Sequence, residues 1–265
     1  MATTLTKYSR LFATQVKNNF VREAVYRSNF FTMLFTDLVW ILVEFALFTV
    51  IYANTTTLAG WTKEQVFFFL GIFFASDAIN ATFFQRNFWQ FSDLVNKGEL
   101  DILLTKPVSP AFLALTRWMS LTSILNFFLG IGIAVKYADA AGFTGGLKWA
   151  LVPLWLAVGV ASAVLLRFAF AVWVFWTDRS WAITRLYFQF FGLATKPDAI
   201  FPVAIRYTIM TFLPFAFIGS VPTRALLFGL STKETALVAG VLIGFYAFDV
   251  LFWKKGLRRY QSASS

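Results

Sequence analysis

Five long apolar segments constrain this chain more than any other feature of its sequence. A bilayer core of about 30 Å is crossed by a helix of roughly 20 mainly apolar residues. The segments that reach this length are residues 30–52, 66–84, 111–135, 149–176 and 236–253. A soluble protein of 265 residues could not bury so much apolar surface, whereas a lipid environment removes the need to bury it. We therefore predict an all-α, polytopic membrane protein.

A sixth apolar region, residues 181–230, is interrupted by Pro197, Pro202, Pro214 and Pro222. It is too long for one helix and too broken for two regular ones. We predict a short sixth span over residues 181–194 and a re-entrant or interfacial helical pair over the outer region, residues 195–230. Irregular backbone at membrane depth is tolerated where it packs on protein or lines a wet cavity. The alternative is a Pro-kinked helix followed by an ordinary loop.

The basic residues indicate an orientation. If the N-terminus is inside, about two thirds of the 23 Lys and Arg residues fall in cytoplasmic segments, as the positive-inside rule expects. Both termini are then cytoplasmic. The net charge of +10 would also suit nucleic acid, but 58% of the residues are hydrophobic. An anionic membrane face is therefore the expected partner, and nucleic acid is not.

The N-terminal segment, residues 1–28, shows the pattern of an amphipathic helix and no cleavable signal peptide. Apolar residues recur every three or four positions, at Leu5, Tyr8, Phe12, Val16 and Phe20. The opposite side has Lys7, Arg10, Thr14 and Lys17. We predict an interfacial helix whose apolar side contacts membrane lipids and whose basic side faces anionic headgroups. The alternative is a helix packed on another cytoplasmic element.

The sequence lacks the residues of most covalent chemistry. It contains no Cys and no His, which excludes disulfides, Cys nucleophiles and Ser-His-Asp catalysis within the chain. No Gly-x-x-x-x-Gly-Lys-Ser/Thr loop is present, so nothing resembles the phosphate cradle of an ATPase. The acidic residues are scattered without ligand-like spacing. We predict a chain that is not an enzyme and that has no metal site and no cofactor.

Residues 85–110 form the longest internal loop of this topology, and they have helical spacing. Phe88, Phe91 and Leu94 fall on one side, and Gly98 suits a left-handed helix end. Pro107 and the Ser-Pro step at 109–110 stop regular structure before the third span. Such a helix suits either docking into a groove of a soluble partner or lying flat on the membrane.

Residues 97–110 read Lys-Gly-Glu-Leu-Asp-Ile-Leu-Leu-Thr-Lys-Pro-Val-Ser-Pro. This run is similar to the signature of bacterial type-2 ABC exporter permeases, in particular a small six-span sub-family of mostly unassigned substrate. The basic N-terminal helix, the outer Pro-rich region and the C-terminal run 255–260 also resemble that family. The resemblance implies one transmembrane permease domain, residues 1–265, in the bacterial cytoplasmic (inner) membrane.

The same resemblance implies a division of labour. Such a permease pairs with a second permease, as homodimer or heterodimer, and separate nucleotide-binding ATPase subunits supply the energy. An unidentified, amphiphilic or lipid-like substrate would leave the cytoplasm or inner leaflet. The ATPase would dock on the loop, with Phe91 and Leu94 filling its groove and acids meeting its basic groups. The docking residues are expected to be Phe88, Phe91, Asp93, Leu94, Lys97, Gly98, Glu99 and Asp101.

Charged residues also lie inside the apolar segments, where each costs about 2.5–3.5 kcal/mol unless it is paired or faces the bundle. Arg167 is expected to pair with Glu44, or alternatively with Asp77. These three residues would form either a polar patch on the transport path or permease seam, or a structural ion pair. Intramembrane acids would equally serve an ion-coupled secondary transporter, although the two halves show no repeat of the kind many such carriers have.

Overall fold

The computed structural model describes residues 2–25, 27–177 and 180–260, so the last five residues of the predicted domain lie outside the described residues. The regular elements in these ranges are helical, apart from one isolated bridge between Leu58 and Trp61. The described α-helices are α1 (Ala2–Val25), α2 (Arg27–Asn54), α3 (Lys63–Asn80), α4 (Arg86–Asn96), α5 (Glu99–Leu104), α6 (Pro110–Thr116), α7 (Ile124–Ala138), α8 (Val152–Val172), α9 (Ser180–Phe191), α10 (Val203–Met210), α11 (Ser220–Phe228) and α12 (Thr232–Arg259).

Five helical stretches in these ranges are long and apolar enough to cross a membrane, which confirms the prediction of an all-α membrane protein. They are Phe30–Asn54, Lys63–Asn96, Leu121–Ala138, Gly146–Phe175 and Thr232–Arg259. Three of them match predicted segments closely, while the second extends twelve residues past the predicted end at residue 84, into the predicted docking loop. The third starts ten residues later than expected, because the chain unwinds between α6 and the short 3-10 turn Leu121–Ser123.

The region predicted to contain a sixth span consists of shorter helices. The 12 residues of α9 extend for about 18 Å at 1.5 Å per residue, which is less than a bilayer core. Beyond α9 lie a 3-10 turn at Asp198–Ile200, α10, a second 3-10 turn at Phe215–Phe217, and α11. Pro197, Pro202 and Pro214 each lie immediately before one of these elements, since proline removes a backbone donor and restricts the preceding residue, whereas Pro222 lies in the first turn of α11.

Local sequence determines where the helices begin. The Thr62 hydroxyl accepts a hydrogen bond from the Gln65 backbone N–H, and the Gln65 side chain accepts one from the Thr62 backbone N–H. Ser231 and Glu234 form the same reciprocal cap at the start of α12. Ser109 caps α6, with Pro110 at its first position. These caps satisfy backbone donors that would otherwise be unpaired at the helix start.

The central element is α3, whose apolar stretch is mostly buried by other helices of the same chain. Its closest neighbour is α7, and two glycines allow the approach. A Cβ at Gly71 would lie 2.5 Å from the Ala134 backbone nitrogen, and one at Gly130 would lie 2.6 Å from the Ala75 backbone nitrogen. Close backbone approach through small residues is the usual way in which helices pack in lipid.

Candidate functional site

The predicted docking loop, residues 85–110, is folded as two short helices joined at Gly98. That residue has φ = 73°, a left-handed conformation in which glycine has no steric penalty, and it separates α4 from α5. Lys97 Nζ lies 2.8 Å from Asp93 Oδ2 on the same turn of α4. Arg117, beyond α6, reaches back to Glu99 at 3.2 Å. The helical prediction for this loop agrees with the structure, including its end at Gly98.

The apolar side of the loop faces the chain's own interior, which corrects the expectation that it fills a partner's groove. Phe88, Phe91 and Leu94 are 7%, 1% and 7% exposed. The Phe91 ring contacts the rings of Phe168 and Trp253 at centroid distances of 6.3 and 6.0 Å. These three loop side chains therefore anchor the loop to α8 and α12 and are closed to a partner in this structure.

The opposite side of the loop is open to a partner. Asp93, Lys97 and Glu99 are exposed, while Gly98 and Asp101 are partly exposed. Two large apolar side chains join them, with Ile102 61% and Leu104 41% exposed. A groove of about 230 Å³ runs beside them, lined in part by Asp93, Lys97, Glu99, Arg117 and Trp118. We define the docking face as Asp93, Lys97, Glu99, Ile102 and Leu104.

The backbone between Arg117 and Ser120 is unwound, and polar side chains satisfy its amide groups. Asn87 Nδ2 donates to the Trp118 carbonyl at 2.7 Å, and the Trp118 N–H donates to Asn87 Oδ1 at 2.7 Å. Asn19 of α1 accepts from the Met119 N–H at 3.1 Å and donates to the Arg117 carbonyl at 3.2 Å. Sequence reasoning missed both asparagines, although each is a polar residue within an apolar helical face.

A π-helical turn in the second span completes this junction. Residues Ala81–Gln85 adopt the wider turn, which leaves carbonyl groups without their usual helical donors. The Thr82 carbonyl accepts a hydrogen bond from the Ser120 N–H at 2.9 Å. Glu23 of α1 accepts from the Leu121 N–H at 2.9 Å. The second span, the third span and α1 thus meet at the unwound segment. Their contacts give its buried amide groups the hydrogen-bond partners that they require.

Helix α1 is also bound directly to the end of the loop. Lys7 Nζ donates to the Pro107 carbonyl at 2.6 Å, and the Ser109 N–H donates to the Tyr8 hydroxyl at 2.9 Å. The Tyr8 and Phe112 rings are in edge contact at 4.9 Å. These contacts agree with the alternative in which α1 packs on another cytoplasmic element. The position of α1 relative to lipid stays a prediction.

Replacement of Asn87 with leucine tests the junction. Asn87 is 2% exposed, so the substitution leaves the Trp118 N–H and C=O buried without partners. Each unpaired group costs about 1–3 kcal/mol, and we expect a clearly lower melting temperature of the purified protein. The matched control is Asn96→Leu, because Asn96 is exposed at the end of the same helix. Equal melting temperatures for the two variants would contradict the assigned role of Asn87.

Arg167 pairs with Asp77, so the expectation of a pair with Glu44 is wrong and the alternative agrees with the structure. One guanidinium nitrogen lies 3.6 Å from Asp77 Oδ1, and Nε donates to the Tyr187 hydroxyl at 2.8 Å. Asn80, with its amide oxygen toward the guanidinium, accepts at 3.1 and 3.2 Å. Arg167 is only 3% exposed, and these partners occupy all of its nitrogens.

Glu44 has a different partner, which sequence reasoning missed. Lys196, in the segment after α9, lies 2.7 Å from Glu44 Oε2. Helical position alone could not find this contact, because Lys196 was assigned to an outer segment and Glu44 to the middle of a span. The pair ties the first membrane span to the start of the outer Pro-rich region.

A second ionic cluster organises that outer region around a buried acid. Asp198 is fully buried next to Pro197, and Arg206 Nε donates to it at 2.9 Å. Arg224 approaches Asp198 at 3.7 Å and Glu234 of α12 at 3.4 Å. Pro202 precedes α10 and Pro214 precedes the 3-10 turn before α11. These contacts fix the three predicted prolines within one compact unit that includes the start of α12.

Two of the three predicted intramembrane charged residues lie beside a cavity of about 760 Å³. Asp77 and Arg167 line it, whereas Glu44 does not. Asp37, also on the wall, accepts a hydrogen bond from Asn126 Nδ2 at 2.6 Å. Aromatic side chains form much of the remaining wall, namely Trp40, Phe74, Trp89, Phe188 and Phe191. The volume falls within the range of sites that hold a drug-sized molecule.

Comparison with known proteins gives one match. The family model described as ABC-2 family transporter protein matches residues 38–264, which is most of the chain. No curated protein and no solved structure matches. The matched range includes the docking loop, the intramembrane pairs and the outer Pro-rich region, and it begins within α2.

Proposed function

This chain belongs to the ABC-2 transporter family and is an ABC-2 type permease, and from that premise we propose that it is the membrane subunit of an ATP-driven exporter. A separate nucleotide-binding ATPase would bind its docking face, and a second permease copy or a related chain would complete the transporter. The substrate would be an amphiphilic molecule taken from the cytoplasm or the inner leaflet of the bacterial cytoplasmic membrane. The observation on which this rests is the loop itself, because it exposes charge outward and anchors its apolar side inward.

The anchoring gives the loop a mechanical role. A force applied to Asp93 or Ile102 by a moving ATPase would pass through Phe91 to Phe168 and Trp253, on two membrane helices. The junction at residues 117–120 would pass the same force to the second and third spans. Since packed cores transmit displacement and do not absorb it, the spans would move as semi-rigid bodies.

Both termini are cytoplasmic in this proposal, which requires an even number of crossings. The sixth crossing would be made by α9 together with residues 192–200. Two contacts support it: Lys196 reaches Glu44, more than halfway along α2, and Arg224 reaches Glu234 at the start of α12. The unit containing α10 and α11 would then be the re-entrant outer region. The N-terminal helix would lie at the inner interface with its free side toward lipid.

The exporter is favoured over an ion-coupled secondary transporter. The alternative would use Asp37 or Asp77 as its ion-binding acid, and it needs no docking face. An ATPase partner is instead what membership of the ABC-2 family implies. Transport in vesicles that persists without ATP and collapses with the sodium or proton gradient would favour the alternative.

Disruption of the docking face tests the proposal. We expect Ile102→Asp combined with Glu99→Lys to abolish co-purification of the partner ATPase, and with it ATP-dependent transport. Both residues are exposed, and the Glu99–Arg117 pair that is lost is itself solvent-exposed, so the fold should be retained. The control is Leu147→Asp, which repeats the apolar-to-acidic change of Ile102→Asp at an 88% exposed leucine in the predicted outer connection. Undiminished ATPase binding by the double variant would refute the docking face.

A further inference from the structure

The cavity beside Arg167 has a hydrogen-bond acceptor that no protein donor satisfies. Asn126 Oδ1 is buried without a hydrogen-bond partner, on a side chain that is 9% exposed. Asp77 is not free in this way, because Oδ1 lies 3.6 Å from Arg167 and the Asn80 side chain hydrogen-bonds to this carboxylate. Asn126 and Asp77 both line the cavity. Buried polar atoms usually have a partner, so the unpaired oxygen of Asn126 calls for a donor.

The charged groups of the cavity also favour a donor that is a cation. The guanidinium of Arg167 is already bound to Asp77, Asn80 and Tyr187. Among the described residues, Asp37 makes no salt bridge within 4.0 Å, and its hydrogen-bond donors are the neutral side chains of Asn126 and Ser123. Asp37 and Asp77 line the same cavity. This end of the cavity therefore has two carboxylates and one guanidinium, and the guanidinium is already paired.

The walls around these acids are aromatic. Trp40 lies three residues after Asp37 on α2, so both side chains fall on the same helix face and line the cavity. Trp89 and Phe188 stack on each other at 4.4 Å and form another part of the wall. Aromatic faces beside a carboxylate are the arrangement that recognises organic cations.

We propose that this cavity binds amphiphilic ammonium ions, with the ammonium group contacting Asp37 and the free oxygen of Asn126. The inference rests on the proposed function and assigns its substrate class. The apolar part of the ligand would lie against Trp40 and Phe74. An inorganic cation has no such part and would leave this side of the cavity empty. Arg86 also lines the cavity, nine residues beyond Asp77, or about 13 Å along a helical path. Its backbone therefore lies about two and a half helical turns from that of Asp77.

Two probes of nearly equal size test the charge preference on the unmodified full-length chain in lipid nanodiscs. Dansylcadaverine has a primary ammonium group, and its N-acetyl derivative is neutral. We expect the amine to bind at least about tenfold more tightly than the acetyl derivative, as a charge-assisted hydrogen bond implies. Equal affinities would overturn the proposal, and so would displacement of the amine by millimolar sodium, which would indicate an inorganic cation site.

Substitution locates the binding site. Asp37→Asn should weaken dansylcadaverine binding about tenfold and leave the acetyl derivative unchanged, because only the charged contact is lost. The matched control is Asp139→Asn, which removes the same charge from an exposed acid outside the cavity. Equal affinities of the amine for the two variants would overturn the assignment to Asp37. If Asp37→Asn fails to assemble, the comparison of the two probes still decides the charge preference.

The binding measurement needs no ATPase, so it separates this inference from the function on which it rests. A chain that binds the amine but recruits no ATPase would keep the site and refute the exporter. A chain that recruits the ATPase but does not distinguish the probes would keep the exporter and refute the substrate class.

Discussion

Replacement of Gly130 with valine is expected to prevent the chain from assembling as a folded bundle. A Cβ at this position would lie 2.6 Å from the Ala75 backbone nitrogen and 2.8 Å from the Gly71 carbonyl oxygen. Overpacking a core with side chains already costs about 1–3 kcal/mol. Here the obstacle is backbone, which cannot rotate away, so α3 and α7 would have to separate along their whole contact. We expect the monodisperse peak to disappear in size-exclusion chromatography of a fluorescent fusion.

The same helix provides the control for this prediction. Gly132 lies two residues further along α7, and a Cβ there would meet nothing within 4 Å. Gly132→Val therefore reproduces the change in helix propensity and hydrophobicity without the clash. If both variants elute as the parent chain does, the close approach of α3 and α7 is not what holds the bundle together.

The second large effect is expected at Arg167. Replacement with methionine leaves Asp77 without its cation, and breaking a buried pair in this way costs about 3–5 kcal/mol. For a chain of this size that corresponds to a melting temperature lower by roughly 6–20 °C. Adding Asp77→Asn should recover much of the loss, because no unpaired charge then remains. The measurement is a double-mutant cycle of melting temperatures for the two single variants and their combination.

Two results bear on the Arg167 assignment. Arg258→Met, at an exposed arginine near the end of α12, should change the melting temperature little. Losses that simply add in the combined variant would show that Arg167 and Asp77 do not act on each other. Glu44→Gln should not rescue Arg167→Met, since Glu44 is bound to Lys196 at 2.7 Å.

Hydropathy predicted most of the fold because lipid imposes a length requirement that few other environments impose. Four predicted segments coincide with helices that are long enough to cross. The predicted third segment began too early, at residue 111, because apolar composition does not reveal where the backbone is unwound. What permits unwinding at 117–120 is the presence of Asn19 and Asn87 far away in sequence, and a local pattern contains no such information.

The candidate site was predicted in part, for a related reason. The period of Phe88, Phe91 and Leu94 correctly indicated one apolar helix face. Periodicity cannot specify whether such a face meets another protein, lipid or the same chain, and here it meets α8 and α12. The intramembrane charges were likewise found by position, but their pairing depends on how helices are rotated against one another. Asp77 lies within reach of Arg167, and Glu44 does not.

The buried side of the docking loop has a consequence for efforts to exchange ATPase partners between permeases. This loop cannot be transferred on its own, because Phe91 packs on Phe168 and Trp253. Its buried face must therefore match two helices that are distant in sequence. A chimera made by transplanting residues 85–110 whole would introduce a mismatched core along with a new partner. In the proposed transporter, altering only outward positions such as Asp93, Lys97 and Ile102 would change the docking face and keep the host's own interior intact.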